Sequence, residues 1–138
     1  MQDKNLIQQM RQELITLGIE EMLTPGQADA ELKNHKGTTL IFINSICGCA
    51  AATARPGIKL ALNHEILPEK LRSVFAGQDI EATQRVREYI RDYSPSSPSI
   101  ALFKSGEVVY MIERGDILNS TPGKLAADLA SAFDRYCA

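Results

Sequence analysis

The stretch that most constrains this chain runs from Thr38 to Ala54. Thr38-Thr39-Leu40-Ile41-Phe42-Ile43-Asn44 is apolar and β-branched without alternation, the pattern of a strand buried on both faces. Three residues later come Cys47-Gly48-Cys49, and then the small helix formers Ala50-Ala51-Ala52. A strand that feeds a helix through a tight junction is the unit of an α/β sheet, and sites in such sheets lie beyond the carboxyl ends of the parallel strands. Two of the chain's three cysteines stand at that position.

The rest of the pattern extends this unit. Leu6, Ile7, Met10, Leu14 and Leu17 recur at helical spacing, so residues 5–17 read as an amphipathic helix stopped at Gly18. Thr24-Pro25-Gly26 marks a turn, and residues 27–35 read as a short helix. Residues 49–63 are helical in character, with Pro56 expected to kink or end the first segment because it lacks an amide proton. Leu71–Ala76 reads as a strand. Asp79 is the expected cap of a helix with Ala82, Val86, Tyr89, Ile90 and Tyr93 on its apolar face. Ser94-Pro95-Ser96-Ser97-Pro98-Ser99 is a loop. Ile100–Lys104 and Glu107–Ile112 form a hairpin across Ser105-Gly106. Thr121 and Pro122 start a last helix with Leu125, Leu129, Ala132, Phe133 and Tyr136 as its stripe. Strands separated by a helix are parallel with a right-handed crossover. The expected fold is therefore α/β, a central mixed four-stranded sheet flanked by helices. It forms one domain over residues 1–138, with residues 1–36 as an extra N-terminal helical segment packed on it.

Composition narrows the function. With 15 Lys and Arg against 17 Asp and Glu, the net charge is -2, which gives no electrostatic case for nucleic acid or an anionic membrane as partner. No window is long and apolar enough to span a bilayer, and the first residues lack the basic and apolar regions of a secretory signal. A cytoplasmic protein is expected. Three cysteines are too few for a secreted disulfide scaffold, and in a reducing compartment closely spaced cysteines do chemistry or bind metal.

Three readings of Cys47 and Cys49 stand at this point. They could be inert small hydrophobes. They could hold a soft metal, although zinc sites usually take four ligands and only Cys137, His35 and His64 remain as candidates, none at a recognisable spacing. The sequence therefore carries no metal assignment, and both histidines read as surface residues. Or the pair exchanges disulfides. A thiolate at a helix N-terminus is stabilised by the free amides and the helix dipole. Cys47, just before the first turn, becomes the attacking nucleophile, and the more shielded Cys49 the resolving thiol. Gly48 is expected to supply backbone freedom and room for an incoming disulfide. A Cys-x-Cys disulfide closes a small ring, and departures from relaxed geometry make such a bond easier to reduce. Asn44 and Ser45 read as turn residues with a supporting part beside the thiol. Arg55 reads as a structural ion pair or surface charge. Cys137, one residue from the end, reads as a frayed free thiol or, in the minority reading, a third redox or intermolecular cysteine.

With these blocks in place, Ser97-Pro98-Ser99-Ile100-Ala101-Leu102-Phe103-Lys104-Ser105-Gly106-Glu107-Val108 resembles the segment of thioredoxins that carries their cis-proline. The resemblance implies that Pro98 is cis and faces the cysteines, within a thioredoxin-like fold. The chain resembles the bacilliredoxin family more closely. Asn44-Ser45-Ile46-Cys47-Gly48-Cys49-Ala50-Ala51 with Ala54-Arg55-Pro56-Gly57, Val74-Phe75-Ala76-Gly77-Gln78-Asp79, and Ser96-Ser97-Pro98-Ser99 match its blocks in order, and the likeness runs nearly the whole chain. What this implies is a thiol-disulfide oxidoreductase of oxidative-stress defence that removes bacillithiol, a low-molecular-weight thiol, from protein mixed disulfides. The implied partners are bacillithiolated client proteins and bacillithiol itself as co-substrate, with no other cofactor. Cys47 and Cys49 would be catalytic, Gly48, Asn44 and Pro98 supporting, and Ser97, Pro98 and Ser99 substrate-binding. Family members are also described as disulfide isomerases. Two departures from thioredoxins stand out. Ile46 occupies their Trp position, and Ile41 the place of their buried carboxylate, so lowering the Cys47 pKa falls to helix-end amides.

Overall fold

The computed structural model describes residues 4–33 and 36–138. The end of the helix expected over 27–35 and the surface reading of His35 lie outside them. The elements run α1 (Lys4–Ile15), β1 (Glu20–Glu21), α2 (Pro25–Leu32), β2 (Thr38–Asn44), a π-helical turn (Ala50–Ala54), α3 (Arg55–Ala61), β3 (Lys70–Phe75), α4 (Ile80–Glu88), β4 (Ser99–Lys104), β5 (Glu107–Ile112), α5 (Arg114–Leu118) and α6 (Pro122–Tyr136).

The sheet order is β1-β3-β2-β4-β5, with β1, β3 and β2 parallel and β4 and β5 antiparallel. The fold class is as expected, but the sheet has five strands rather than four. The extra strand, β1, is the acidic pair Glu20-Glu21 at the edge beside β3. It carries no apolar alternation, so no pattern marks it, and it places a strand inside the segment read as helical.

All seven residues of β2 are buried, because helices cover both faces. Leu40 and Phe42 point to the layer built from α1, α3, α5 and α6, against Leu14, Ile58, Ile117, Leu129 and Phe133. Ile41 and Ile43 point to the layer of α2 and α4, against Ala28, Leu32, Ala82 and Val86. The alternation of β2 is thus real but both faces are apolar. Each such fully buried Leu, Ile or Phe contributes about 1.5–3 kcal/mol of burial, which fixes β2 as the rigid stem beneath the cysteines.

Several local expectations hold. Thr24 and Thr121 cap α2 and α6, their hydroxyls accepting from Gln27 N and Lys124 N at 3.2 Å each, with Pro25 and Pro122 in the first turn. Ser105 (φ 54°) and Gly106 (φ 79°) form the hairpin turn with positive φ at both positions. Gly57 lets α3 close on α6, since a Cβ there would lie 2.6 Å from Leu125 Cδ2.

Asp79 differs. It stands at the start of α4, but its carboxylate makes no capping bond. Instead both oxygens accept from Arg11, at 2.8 and 2.9 Å, and Oδ2 also accepts from Phe75 N at 3.3 Å. The bidentate guanidinium pair occupies both oxygens, so Asp79 ties α1 to the end of β3. The helix α5 is also additional, a five-residue turn with one buried residue, Ile117, too short to show periodicity.

Candidate active site

The helix after β2 begins at Gly48 and runs to Ala61, with the π turn in its middle. Pro56 explains that turn. It removes one amide, and its ring would clash with the carbonyl of Ala52 in a regular α-helix. The wide turn opens the helix by one residue, with Arg55 N bonding Ala50 O. Pro56 thus widens the helix rather than ending it.

That shift sends Arg55 under the cysteine loop. Arg55 is 4% exposed. Its Nε pairs with Glu13 of α1, and its Nη1 donates to Asn44 Oδ1 at 2.9 Å and to Ser45 O at 3.2 Å. Asn44 Oδ1 also accepts from Ser45 N at 2.9 Å, and Ser45 Oγ accepts from Cys47 N at 3.0 Å. Asn44 and Ser45 therefore shape the loop, and neither side chain is bonded to a thiol. Arg55 is the structural ion pair rather than a surface charge.

Above this platform, Cys47 and Cys49 are both free and partly exposed, with Sγ atoms 3.0 Å apart. A disulfide needs about 2.05 Å, so closure asks for a movement of only about 1 Å. Cys49 also packs against the first core layer. Gly48 is exposed, its φ is not positive, and a Cβ there would meet no atom within 4 Å. The expectation that its backbone needs glycine does not hold. The expectation of open space beside the thiol does.

A residue that the sequence reading passed over completes the site. Arg114, at the start of α5, brings Nη2 to 3.5 Å from Cys47 Sγ. Its backbone N–H donates to Ser96 Oγ at 3.4 Å, and Glu113 N donates to Asp116 Oδ2 at 2.9 Å in the same turn. Glu113-x-x-Asp116 has the spacing of a capping box, the one signal that a helix begins here. Its closeness to Cys47 is set by sheet topology, across 67 residues of chain.

The electrostatics separate the two thiols. The Cys47 thiol is lowered to about 7, by the hydrogen bond from Cys49 first, then that from Arg114, then the Cys49 amide. The helix-end amide thus contributes, but after a thiol and a guanidinium, which corrects the expectation that amides carry the shift. Cys49 moves the other way, raised by burial first and by Cys47 second. One thiol is set up to ionise at the other's expense.

The Ser97–Pro98 bond is cis and Pro98 is buried. Ile43 pairs with Ser99, so Pro98 lies one step further on, at the end of β2 where the cysteine loop starts. Ser97 is half-buried. Ser99 is fully buried, and its hydroxyl donates to Ser96 O at 3.1 Å, so its side chain is turned inward and serves the loop.

The remaining candidates lie elsewhere. Cys137 caps the end of α6 and packs against the first core layer beside Thr38. It is anchored, not frayed, and sits at the other end of β2 from Cys47, roughly 20 Å away at about 3.3 Å per residue. Cys137 therefore takes no direct part in the Cys47–Cys49 pair. His64 is at the surface, its Nε2 2.7 Å from Asp134. Among the described residues no three His, Cys, Asp or Glu converge as a metal site. Nor does any helix there have the length and apolarity to cross a membrane.

The comparisons agree with this geometry. The family model described as disulphide isomerase matches residues 2–137. A bacilliredoxin of Koribacter versatilis is 47% identical over 128 residues, 93% of this chain and 88% of that protein. One of Staphylococcus aureus is 46% identical, over 96% of this chain and 90% of its own. The chain belongs to the bacilliredoxin family. Solved thioredoxins share the fold of this family member at low identity. That of Malassezia sympodialis has a TM-score of 0.57 at 12% identity, over 87% of this chain and 91% of its own. That of Plasmodium falciparum has 0.55 at 12%, over 86% and 99%. Family membership and site together make this bacilliredoxin-family chain a thiol-disulfide oxidoreductase.

Proposed function

We propose that the chain removes bacillithiol from client proteins that carry it as a mixed disulfide, with Cys47 attacking and Cys49 resolving. The observation that carries this reading is one sulfur held between a guanidinium at 3.5 Å and a second thiol at 3.0 Å. With its pKa at about 7, Cys47 is substantially thiolate near neutrality, where an attacking thiol combines ionisation with nucleophilicity. The thiolate attacks the bacillithiol sulfur, the S–S bond breaks, and the client leaves as a thiolate. Cys49 loses its proton and attacks Cys47, releasing bacillithiol and closing the Cys47–Cys49 bond. Free bacillithiol can resolve the adduct instead. The steps call for no metal or organic cofactor, and the setting they suit is a bacterial cytoplasm under oxidative stress.

Mass spectrometry after mixing the reduced protein with a bacillithiolated peptide tests this. The expected product is an adduct on Cys47 that decays to the internal disulfide and persists in Cys49→Ser. An adduct confined to Cys49, or activity retained in Cys47→Ser, overturns it.

A second reading, isomerisation of scrambled protein disulfides, has its own support. The matching family model is described as disulphide isomerase. Ile46, next to Cys47, is 46% exposed and offers an apolar contact to a misfolded client. Rates on a scrambled protein and on a bacillithiolated one, measured side by side, separate the two.

A further inference from the structure

Resolution makes a demand that the first attack does not. Cys49 must give up a proton before it attacks, yet burial raises its pKa first and Cys47 second. No carboxylate or imidazole hydrogen-bonds to it among the described residues; its partner is the Cys47 sulfur at 3.0 Å. The core layer it packs against is apolar, with Ala54, Ile117 and Phe133 among its members. Arg55 and Glu13 beneath the loop are paired with each other. The charge that opposes the rise is the Arg114 guanidinium, which draws the Cys49 thiol the other way.

Arg114 is placed to serve both sulfurs. Ile117 seats α5 in the same core layer that Cys49 packs against, and the Arg114 amide is bonded to Ser96 Oγ at 3.4 Å. The stem of the side chain is therefore fixed. The guanidinium itself is exposed, and it meets Cys47 Sγ at 3.5 Å. The neighbouring Asp116 carboxylate accepts from Glu113 N at 2.9 Å instead of pairing with it. With the two sulfurs 3.0 Å apart, a short swing of this long side chain carries one of its several N–H donors from one sulfur to the other. Arg114 already holds its proton more tightly because of Cys47 first and, more weakly, Cys49. A sulfur in a disulfide carries no charge. Once Cys47 is joined to a small thiol, the anion facing Arg114 is gone, and so is the charge that kept Cys49 protonated.

We propose that Arg114 serves the two thiols in turn, leaving Cys47 when the mixed disulfide forms and pairing with Cys49 to activate it as the resolving nucleophile. The inference rests on Cys47 attacking and Cys49 resolving, and not on the small thiol being bacillithiol. Cys49 gives its proton to water, and its thiolate, paired with the guanidinium, attacks Cys47 Sγ. The bond from Cys47 to the small thiol breaks, that thiol leaves with the electron pair and takes up a proton, and the Cys47–Cys49 bond forms. Over both steps two electrons pass from the dithiol to the substrate disulfide. Arg114 thereby sets the share of adduct that is cleared internally before an external thiol arrives.

A preformed adduct separates this step from the first attack. One equivalent of hydroxyethyl methanethiosulfonate, a neutral reagent, places mercaptoethanol on Cys47 of the reduced protein at acid pH, where Cys49 stays protonated. After a jump to each of a series of higher pH values, loss of the adduct and gain of the internal disulfide are followed by acid quench and mass spectrometry. In the wild type the rate should rise with pH to a plateau. In Arg114→Gln the midpoint should move up and the rate below it should fall several-fold, with the plateau kept. Arg114→Lys keeps the charge and should recover part of the loss. A midpoint and rate in Arg114→Gln equal to wild type overturn the inference and leave the dithiol reading standing. So does a loss confined to the plateau at an unchanged midpoint, because a merely loosened α5 slows the step at every pH. An adduct that settles on Cys49, or one that stays on wild-type Cys47 without an internal disulfide, removes the order of attack and this inference with it. A protein that shows the expected shift but leaves bacillithiolated clients untouched keeps the role of Arg114 and loses the proposed substrate.

Discussion

The two ends of β2 each carry a cysteine, and they differ in almost everything but the side chain. At the carboxyl end Cys47 is partly exposed, 3.5 Å from Arg114 and 3.0 Å from a second thiol, and its pKa falls to about 7. At the amino end Cys137 packs beside Thr38 against the core, and burial raises its pKa. The strand gives both a rigid mount. What separates them is a nearby cation and proton donor at one end and desolvation at the other. The opposite pKa directions of the two thiols therefore follow from their surroundings at each sheet end, not from the residue type.

The comparison breaks most visibly at the sulfur itself. Cys47→Ser should drop turnover of a mixed disulfide to the uncatalysed background, measured by release of the client thiol, while the fold is retained. Next comes the platform. Arg55→Ala removes a buried cation and its bonds to Asn44 and Ser45, so chemical denaturation should show a loss of about 2–3 kcal/mol, accompanied by slower exchange as the loop loosens. Arg114→Gln is sharper and smaller. The exposed guanidinium contributes charge rather than packing, so the melting temperature should hold while the Cys47 pKa climbs toward the ordinary thiol value. Below that pKa the thiolate fraction, and with it the alkylation rate, falls roughly tenfold for each unit of rise. The smallest effect belongs to Cys137→Ser, under about 1 kcal/mol in stability, with exchange rates unchanged. A strong activity loss in Cys137→Ser would mean the two ends are coupled in a way that β2 does not explain.

Much of this was legible in the sequence because it is local. The buried run 38–44, the Cys-Gly-Cys at its end, the threonine caps with their prolines and the Ser105-Gly106 turn each follow from neighbours a few residues apart. The cis Ser97–Pro98 bond was reachable only through the resemblance, since composition marks no more than a loop proline. What the sequence hid depends on contacts across the chain. Arg114 lies 67 residues from Cys47, on a turn too short for periodicity. Arg55 reads in the sequence as a structural ion pair or surface charge, and the π turn ahead of Pro56 brings it beneath Asn44. Asp79 carries a capping residue's identity but is claimed by Arg11 from α1. Strand β1 is two glutamates at a sheet edge, whose pairing with β3 no hydrophobic pattern announces.

The central claim is that Cys47 ionises near neutrality while the other two thiols stay protonated. Alkylation of the reduced protein with iodoacetamide, followed residue by residue by mass spectrometry from pH 5 to 10, reads it directly. The rate at Cys47 should rise through a midpoint near pH 7 and level off, with Cys49 and Cys137 reacting only at higher pH. A midpoint for Cys47 at or above the ordinary thiol value of about 8.5, or an earlier rise at Cys49, would contradict the account.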